Sequence, residues 1–160
     1  MARWDNPLVS ATSVQLRAAV PADVPAISGC VKAAFEPYLE RMGKPPAPLK
    51  ADYAEMVRRG VVYVAVDAER VVGVATMWVD GDHFKVDTLA TIPEARGTGV
   101  GAALLALADR QALSEGCREI RLFTNAAMSE NLDYYPRKGY TETHRGLDDG
   151  YERVYFSRRL

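Results

Sequence analysis

Apolar residues change their period several times along the chain, and each change predicts a new element. Val14-Gln15-Leu16-Arg17 alternates like a short strand. Pro21 closes it, and Asp23 offers a helix start. Val24, Ile27, Val31, Ala34 and Phe35 then recur at helical spacing and predict a helix over 23–35. Gly43-Lys44-Pro45-Pro46-Ala47-Pro48 cannot continue regular structure and predicts a loop, with a second short helix over 51–59. Runs rich in valine at 61–66 and 71–79 read as two strands joined by a turn at 67–70. A fourth strand over 84–92 leads into a glycine-rich turn and a long helix over 99–115, which Gly116 ends. A fifth strand over 119–124, a helix over 129–138 and a hairpin of 140–144 with 151–157 around Asp149-Gly150 complete the pattern. This order predicts one α/β domain with a mixed sheet over 14–160, preceded by an N-terminal extension over 1–13.

The glycine-rich turn changes the picture from architecture to chemistry. Arg96-Gly97-Thr98-Gly99-Val100-Gly101 places three alternate glycines directly before strong helix formers. Alternate glycines let the backbone turn tightly and leave its N–H groups open to a ligand. The first turn of a helix adds unpaired donors and the positive end of the dipole, which together suit a pyrophosphate. Arg96 adds a permanent charge beside them. No Lys-Ser/Thr ending follows, so a nucleoside triphosphatase loop is disfavoured. The spacing is also not the G-x-G-x-x-G of dinucleotide folds, and no acidic ribose partner stands about 20 residues on. The residues alone leave two readings open: a phosphate-binding loop, or a tight strand-to-helix connection without a ligand.

Composition excludes more than it selects. The chain has 160 residues, 48% hydrophobic and 26% charged, which fits an ordinary globular domain. A formal net charge of −1 gives no global case for nucleic acid or a membrane surface as partner. Asp5 and Pro7 interrupt the N-terminus where a secretory signal would be apolar, and no apolar run is long enough to span a bilayer. Cys30 and Cys117 stand apart from any C-x-x-C or Cys/His cluster, so two reduced core thiols, no metal and a cytoplasmic location are expected.

Two motifs in order carry a resemblance that covers nearly the whole chain. Arg96-Gly97-Thr98-Gly99-Val100-Gly101 matches the form Arg/Gln-x-x-Gly-x-Gly/Ala, and Tyr135-Pro136-Arg137-Lys138-Gly139-Tyr140 matches Tyr-x-x-x-Gly-Phe/Tyr. With the element order, they resemble the GNAT superfamily of N-acetyltransferases. The resemblance implies a single-domain fold with a mixed, mostly antiparallel sheet whose central fourth and fifth strands splay apart. It implies acetyl-coenzyme A as co-substrate, its pantetheine arm along Leu89, Ala90 and Thr91 and its pyrophosphate on the N–H groups of Arg96, Gly97, Thr98, Gly99, Val100 and Gly101. Thr91 stands where the family has valine, and Met128 where it often has an asparagine. Asn131, one turn nearer, is the candidate replacement, with Asn125 a weaker one.

The implied reaction moves an acetyl group to a primary amine of a small molecule or peptide by direct attack. Tyr135 is the implied acid or thiolate partner, although Pro136 beside it must end or kink the helix. Asp87 is the implied base, with Leu89 and Thr91 on the same face of the strand by alternation. A solvated carboxylate is the competing reading for Asp87. His83 competes as a base by pKa but falls beside a turn. Neither cysteine is placed for a covalent relay. Tyr38, Arg41 and Tyr53 are candidates to recognise an acceptor bearing a carboxylate, whereas Glu36, Glu40 and Asp52 would attract a cation. The alternatives are a non-catalytic acyl-coenzyme A sensor and a nucleotide-binding regulatory domain. A homodimer is a further expectation by resemblance.

Overall fold

Seven strands form one sheet in the order β1-β2-β3-β4-β5-β7-β6 in the computed structural model, which describes residues 14–160. The expected extension over 1–13 lies outside the described residues. In chain order the elements are β1 (Gln15–Ala18), α1 (Val24–Phe35), α2 (Leu39–Met42), α3 (Tyr53–Arg58), β2 (Val62–Asp67), β3 (Arg70–Asp80) and β4 (His83–Thr91). They continue with α4 (Val100–Ser114), β5 (Glu119–Asn125), α5 (Ser129–Arg137), β6 (Thr141–Asp148) and β7 (Tyr151–Arg159). The predicted order holds, with α2 added after a 3-10 turn at Glu36–Tyr38. The β6 strand extends beyond the predicted 140–144 because all its residues are exposed, so no alternation marked its end.

Asp23 opens α1 in an unexpected direction. Its side chain reaches back, accepting from the Val20 N–H at 2.8 Å and from both terminal nitrogens of Arg17 at 2.7 and 3.0 Å. It thereby ties the end of β1 to the start of α1. The β3 strand is buried continuously from Val71 to Met77, so both its faces are covered, and α1 and α4 pack against it. At Gly73 the contact with α4 is close: a Cβ there would lie 2.8 Å from Val100 Cγ1 and 3.0 Å from Leu104 Cδ1. Glycine lets the helix seat on the strand.

All strand pairs are antiparallel except β4 with β5. That parallel pair has only three rungs, Phe84–Ile120, Lys85–Arg121 and Val86–Leu122. Past Val86 the strands part. A bulge sits at the same point: Met77 pairs with Val86 and Thr76 with Thr88, leaving Asp87 without a partner on β3. The simple alternation that put Asp87 on one face with Leu89 and Thr91 therefore breaks. Leu89 and Thr91 pair with Ala75 and Gly73, on the face toward α4, and Asp87 is the extra residue of the bulge.

Candidate active site

Where β4 and β5 part, a cleft of about 570 Å³ opens between β4 and α5, within the size range of ligand sites. Leu89, Ala90 and Thr91 line one wall, and Asn131, Tyr134 and Tyr135 of α5 line the other. Among the described residues the edge of β4 from Asp87 to Thr91 has no strand partner on this side. An extended ligand can take the place of the missing strand.

One end of the cleft is built for an anion. Ala95, Arg96 and Thr98 spend their backbone N–H groups on Ile92, Pro93 and Ala95. Among the described residues the N–H groups of Gly97, Gly99, Val100, Gly101 and Ala102 make no hydrogen bond. These five donors cluster at the N-terminus of α4. Gly97 and Gly99 have φ of 76° and 95°, a region closed to most side chains. A Cβ on Gly101 would come within 3.2 Å of the Tyr134 hydroxyl.

The six residues expected in this loop divide into two sets. Arg96, Gly97, Gly99 and Gly101 line the cleft. Thr98 does not: its N–H and its hydroxyl both turn inward to the Ala95 carbonyl. Val100 is fully buried and offers its N–H alone. Arg96 is partly committed, donating to the Ala34 carbonyl at 2.7 Å with its guanidinium 5.2 Å from the Tyr38 ring. Arg137 and Lys138, which drew no notice in the sequence, also line the cleft.

At the other end lies a smaller pocket of about 60 Å³, bounded by Asp87, Thr88 and Leu89, by Phe123 to Asn125, by Pro46 to Pro48, and by Tyr151 and Arg153. Tyr135 borders both cavities. Its ring is packed among Tyr134, Tyr140 and Phe156, and its hydroxyl has no hydrogen-bond partner among the described residues. Burial pushes its pKa up, with Tyr134 and Tyr140 adding to the shift, so the hydroxyl keeps its proton at neutral pH. Pro136 is accommodated in the last turn, and α5 ends one residue later.

Asp87 is half-exposed at the mouth of the small pocket, with Lys85 Nζ 3.5 Å away. Asn131 does not cap α5. Its Nδ2 donates to Thr124 Oγ1 at 2.9 Å, spanning from α5 to β5 where both cavities meet. Asn125 accepts from the Ala127 N–H at 2.9 Å and serves the turn. His83 lies at the far end of β4, between Asp80 at 3.7 Å and Asp82 at 3.0 Å. Cys30 is buried, and desolvation pushes its thiol up to about 12, which leaves no thiolate for a relay.

The expected acceptor residues are placed elsewhere. Tyr38 lines the large cleft, and neither Arg41 nor Tyr53 lines either cavity. Tyr53 is buried and donates to the Pro48 carbonyl at 2.7 Å, pinning the proline-rich loop. Arg41 grips Glu130 with two hydrogen bonds of 3.0 Å and also donates to the Ala127 carbonyl at 3.3 Å. That pairing holds the Glu130 carboxyl down to about 2. Tyr151 and Arg153 line the small pocket. Both were read only as part of the closing hairpin, and their shared face by strand alternation was the one available signal.

Among the described residues there is no group of three or more side chains suited to hold a metal, and no helix is long and apolar enough to cross a membrane. A family model described as an acetyltransferase (GNAT) domain matches residues 58–142. A search of curated proteins finds no match. Among solved structures, the PaiA N-acetyltransferase of Thermoplasma acidophilum in complex with coenzyme A aligns with TM-score 0.78 and 15% identity, over 92% of this chain and 99% of its own. Ard1 of Thermoplasma volcanium aligns with TM-score 0.72 and 18% identity, over 92% and 98%. An IAA acetyltransferase of Bacillus cereus aligns with TM-score 0.67 and 18% identity, over 92% and 100%. At these identities the likeness is one of fold.

Proposed function

The chain belongs to the GNAT acetyltransferase family, whose co-substrate is acetyl-coenzyme A, and we propose that it acetylates a primary amine of a small molecule or peptide by direct attack. Acetyl-coenzyme A supplies the acyl group as an activated thioester. The residues present fit that ligand on one observation above all. A single cleft joins five unspent N–H donors at a helix terminus, an unpaired strand edge, and a protonated tyrosine. The donors suit phosphates and the strand edge suits an amide-bearing arm.

The chain's own groups then meet the needs of the reaction. An alkyl amine has a pKa of about 10.4, so only about one in 10³ is neutral at pH 7. Asp87, at the mouth of the acceptor pocket, accepts the ammonium proton through water. The Tyr135 hydroxyl, still protonated and without a hydrogen-bond partner among the described residues, protonates the departing sulfur and is reprotonated from solvent. Overall an N–C bond replaces a C–S bond, and of the two protons that the ammonium loses, one is balanced by the proton on the coenzyme thiol and one is released.

The test is thiol release from acetyl-coenzyme A across a panel of amines, with calorimetric titration of coenzyme A in parallel. Binding with acceptor-dependent release supports the reading. Binding with no release from any amine would point to a sensor, and no binding would remove the coenzyme from the account.

A further inference from the structure

We propose that the acceptor carries its own carboxylate beside the reacting amine, and that Arg153 binds it; the proposal rests on the transferase reading above. Arg153 stands on β7 opposite Asn125 of β5, and its side chain is only 13% exposed. The guanidinium stacks 4.2 Å over the Phe123 ring, which holds it against the wall of the small pocket. Nη1 donates to Asp148 at 2.6 Å. Nε and Nη2 make no hydrogen bond among the described residues.

A guanidinium this sheltered, with donors unspent, is costly until an acceptor arrives. Its planar fork matches a carboxylate. Asp148 is 56% exposed, so its charge is screened by water and leaves much of the arginine's field acting on the pocket. Asp87 borders the same pocket and suits the ammonium. A cavity with a carboxylate at one side and an unspent guanidinium at another is complementary to an amino acid. Arg41, by contrast, spends both terminal nitrogens on Glu130 and Ala127 and lines neither cavity.

A volume of about 60 Å³ admits only the head of an acceptor, its amine and the group next to it. Pro46, Ala47 and Pro48 roof the pocket, and their loop is pinned by hydrogen bonds from Tyr151 to the Pro45 carbonyl and from Tyr53 to the Pro48 carbonyl. A polyamine would set a second cation against Arg153. A peptide N-terminus would offer it an amide in place of a charge.

The experiment compares kcat/KM for thiol release with alanine, methionine and phenylalanine, with their carboxamides, and with the amines lacking the carboxyl group. For the wild-type protein the acids are expected to exceed the amides by about 10- to 100-fold, chiefly through KM. In Arg153→Gln that ratio is expected to fall toward one, with calorimetric titration of coenzyme A reporting that the variant is folded. Asp148→Asn removes the hairpin ion pair but not the fork, and its ratio is expected to persist.

Equal rates for acid and amide in the wild type overturn the proposal, and do so even if Arg153→Gln fails to fold. So does a ratio that survives Arg153→Gln, or one lost equally in Asp148→Asn. Release with polyamines or peptides alone also overturns it but leaves the transferase reading standing. Absence of coenzyme binding removes the transferase reading itself.

Discussion

Tyr135 and Asp23 illustrate how far a single side chain's setting alters its chemistry. Burial in an aromatic cluster raises the pKa of Tyr135, which borders two cavities and whose hydroxyl has no hydrogen-bond partner among the described residues. Tyr135→Phe is expected to lower kcat about 10²-fold, with coenzyme affinity by calorimetry changed less than about threefold. An unchanged kcat would assign the ring to packing alone. Asp23 has its carboxyl held below the usual range, first by the hydrogen bond from Arg17. Its contribution is therefore complete above the unfolded value of about 3.9 and is lost as pH falls through the lower folded value. Asp23→Asn is expected to cost about 1 kcal/mol in urea unfolding at pH 7, and the gap should narrow steadily below pH 4. A gap that stays constant from pH 7 to pH 3 would mean that charge is not the cause.

At the scale of elements, the seat of α4 on β3 decides where the unspent N–H donors at its N-terminus stand. Gly73 leaves no room for even a methyl group beside Val100 and Leu104, and Val100 is the first residue of α4. Gly73→Ala is expected to destabilise the fold by about 1–3 kcal/mol in chemical denaturation. It should also weaken coenzyme binding, because the same shift moves the helix terminus. Lost stability with unaltered affinity would show that the helix end adjusts independently. The elements themselves were largely legible in the sequence, because valine-rich runs and helical spacing mark them. The bulge at Asp87 was not legible, since alternation carries no sign of an extra residue until a partner strand sets the register.

For the whole molecule, the cleft lies between segments far apart in the chain, joined by three rungs of parallel pairing and by clasps across the opening. Arg41 reaches Glu130 and Tyr151 reaches Pro45 over these separations. Glu130 is a carboxylate lining a cleft that suits anions, and Arg41 neutralises it. Arg41→Ala is expected to weaken coenzyme binding about threefold to tenfold in calorimetry, and adding Glu130→Gln should restore it. If the double variant binds no better than the single one, the arginine acts by closing the cleft rather than by charge.

The sequence by itself determined the α/β order, the glycine loop with its helix, and the pairing of that loop with the Tyr135 motif. Each depends on spacing within a short segment, where backbone geometry follows directly from residue type. Tertiary structure decided which loop N–H groups stay free, where Asp87 falls on the bulge, and which arginine lines the small pocket. Arg41 and Arg153 are alike as residues in a sequence. Only packing commits the first to Glu130 and leaves the second with donors unspent among the described residues, on a pocket that Asp87 also lines, because partners so distant along the chain meet only when the sheet is assembled.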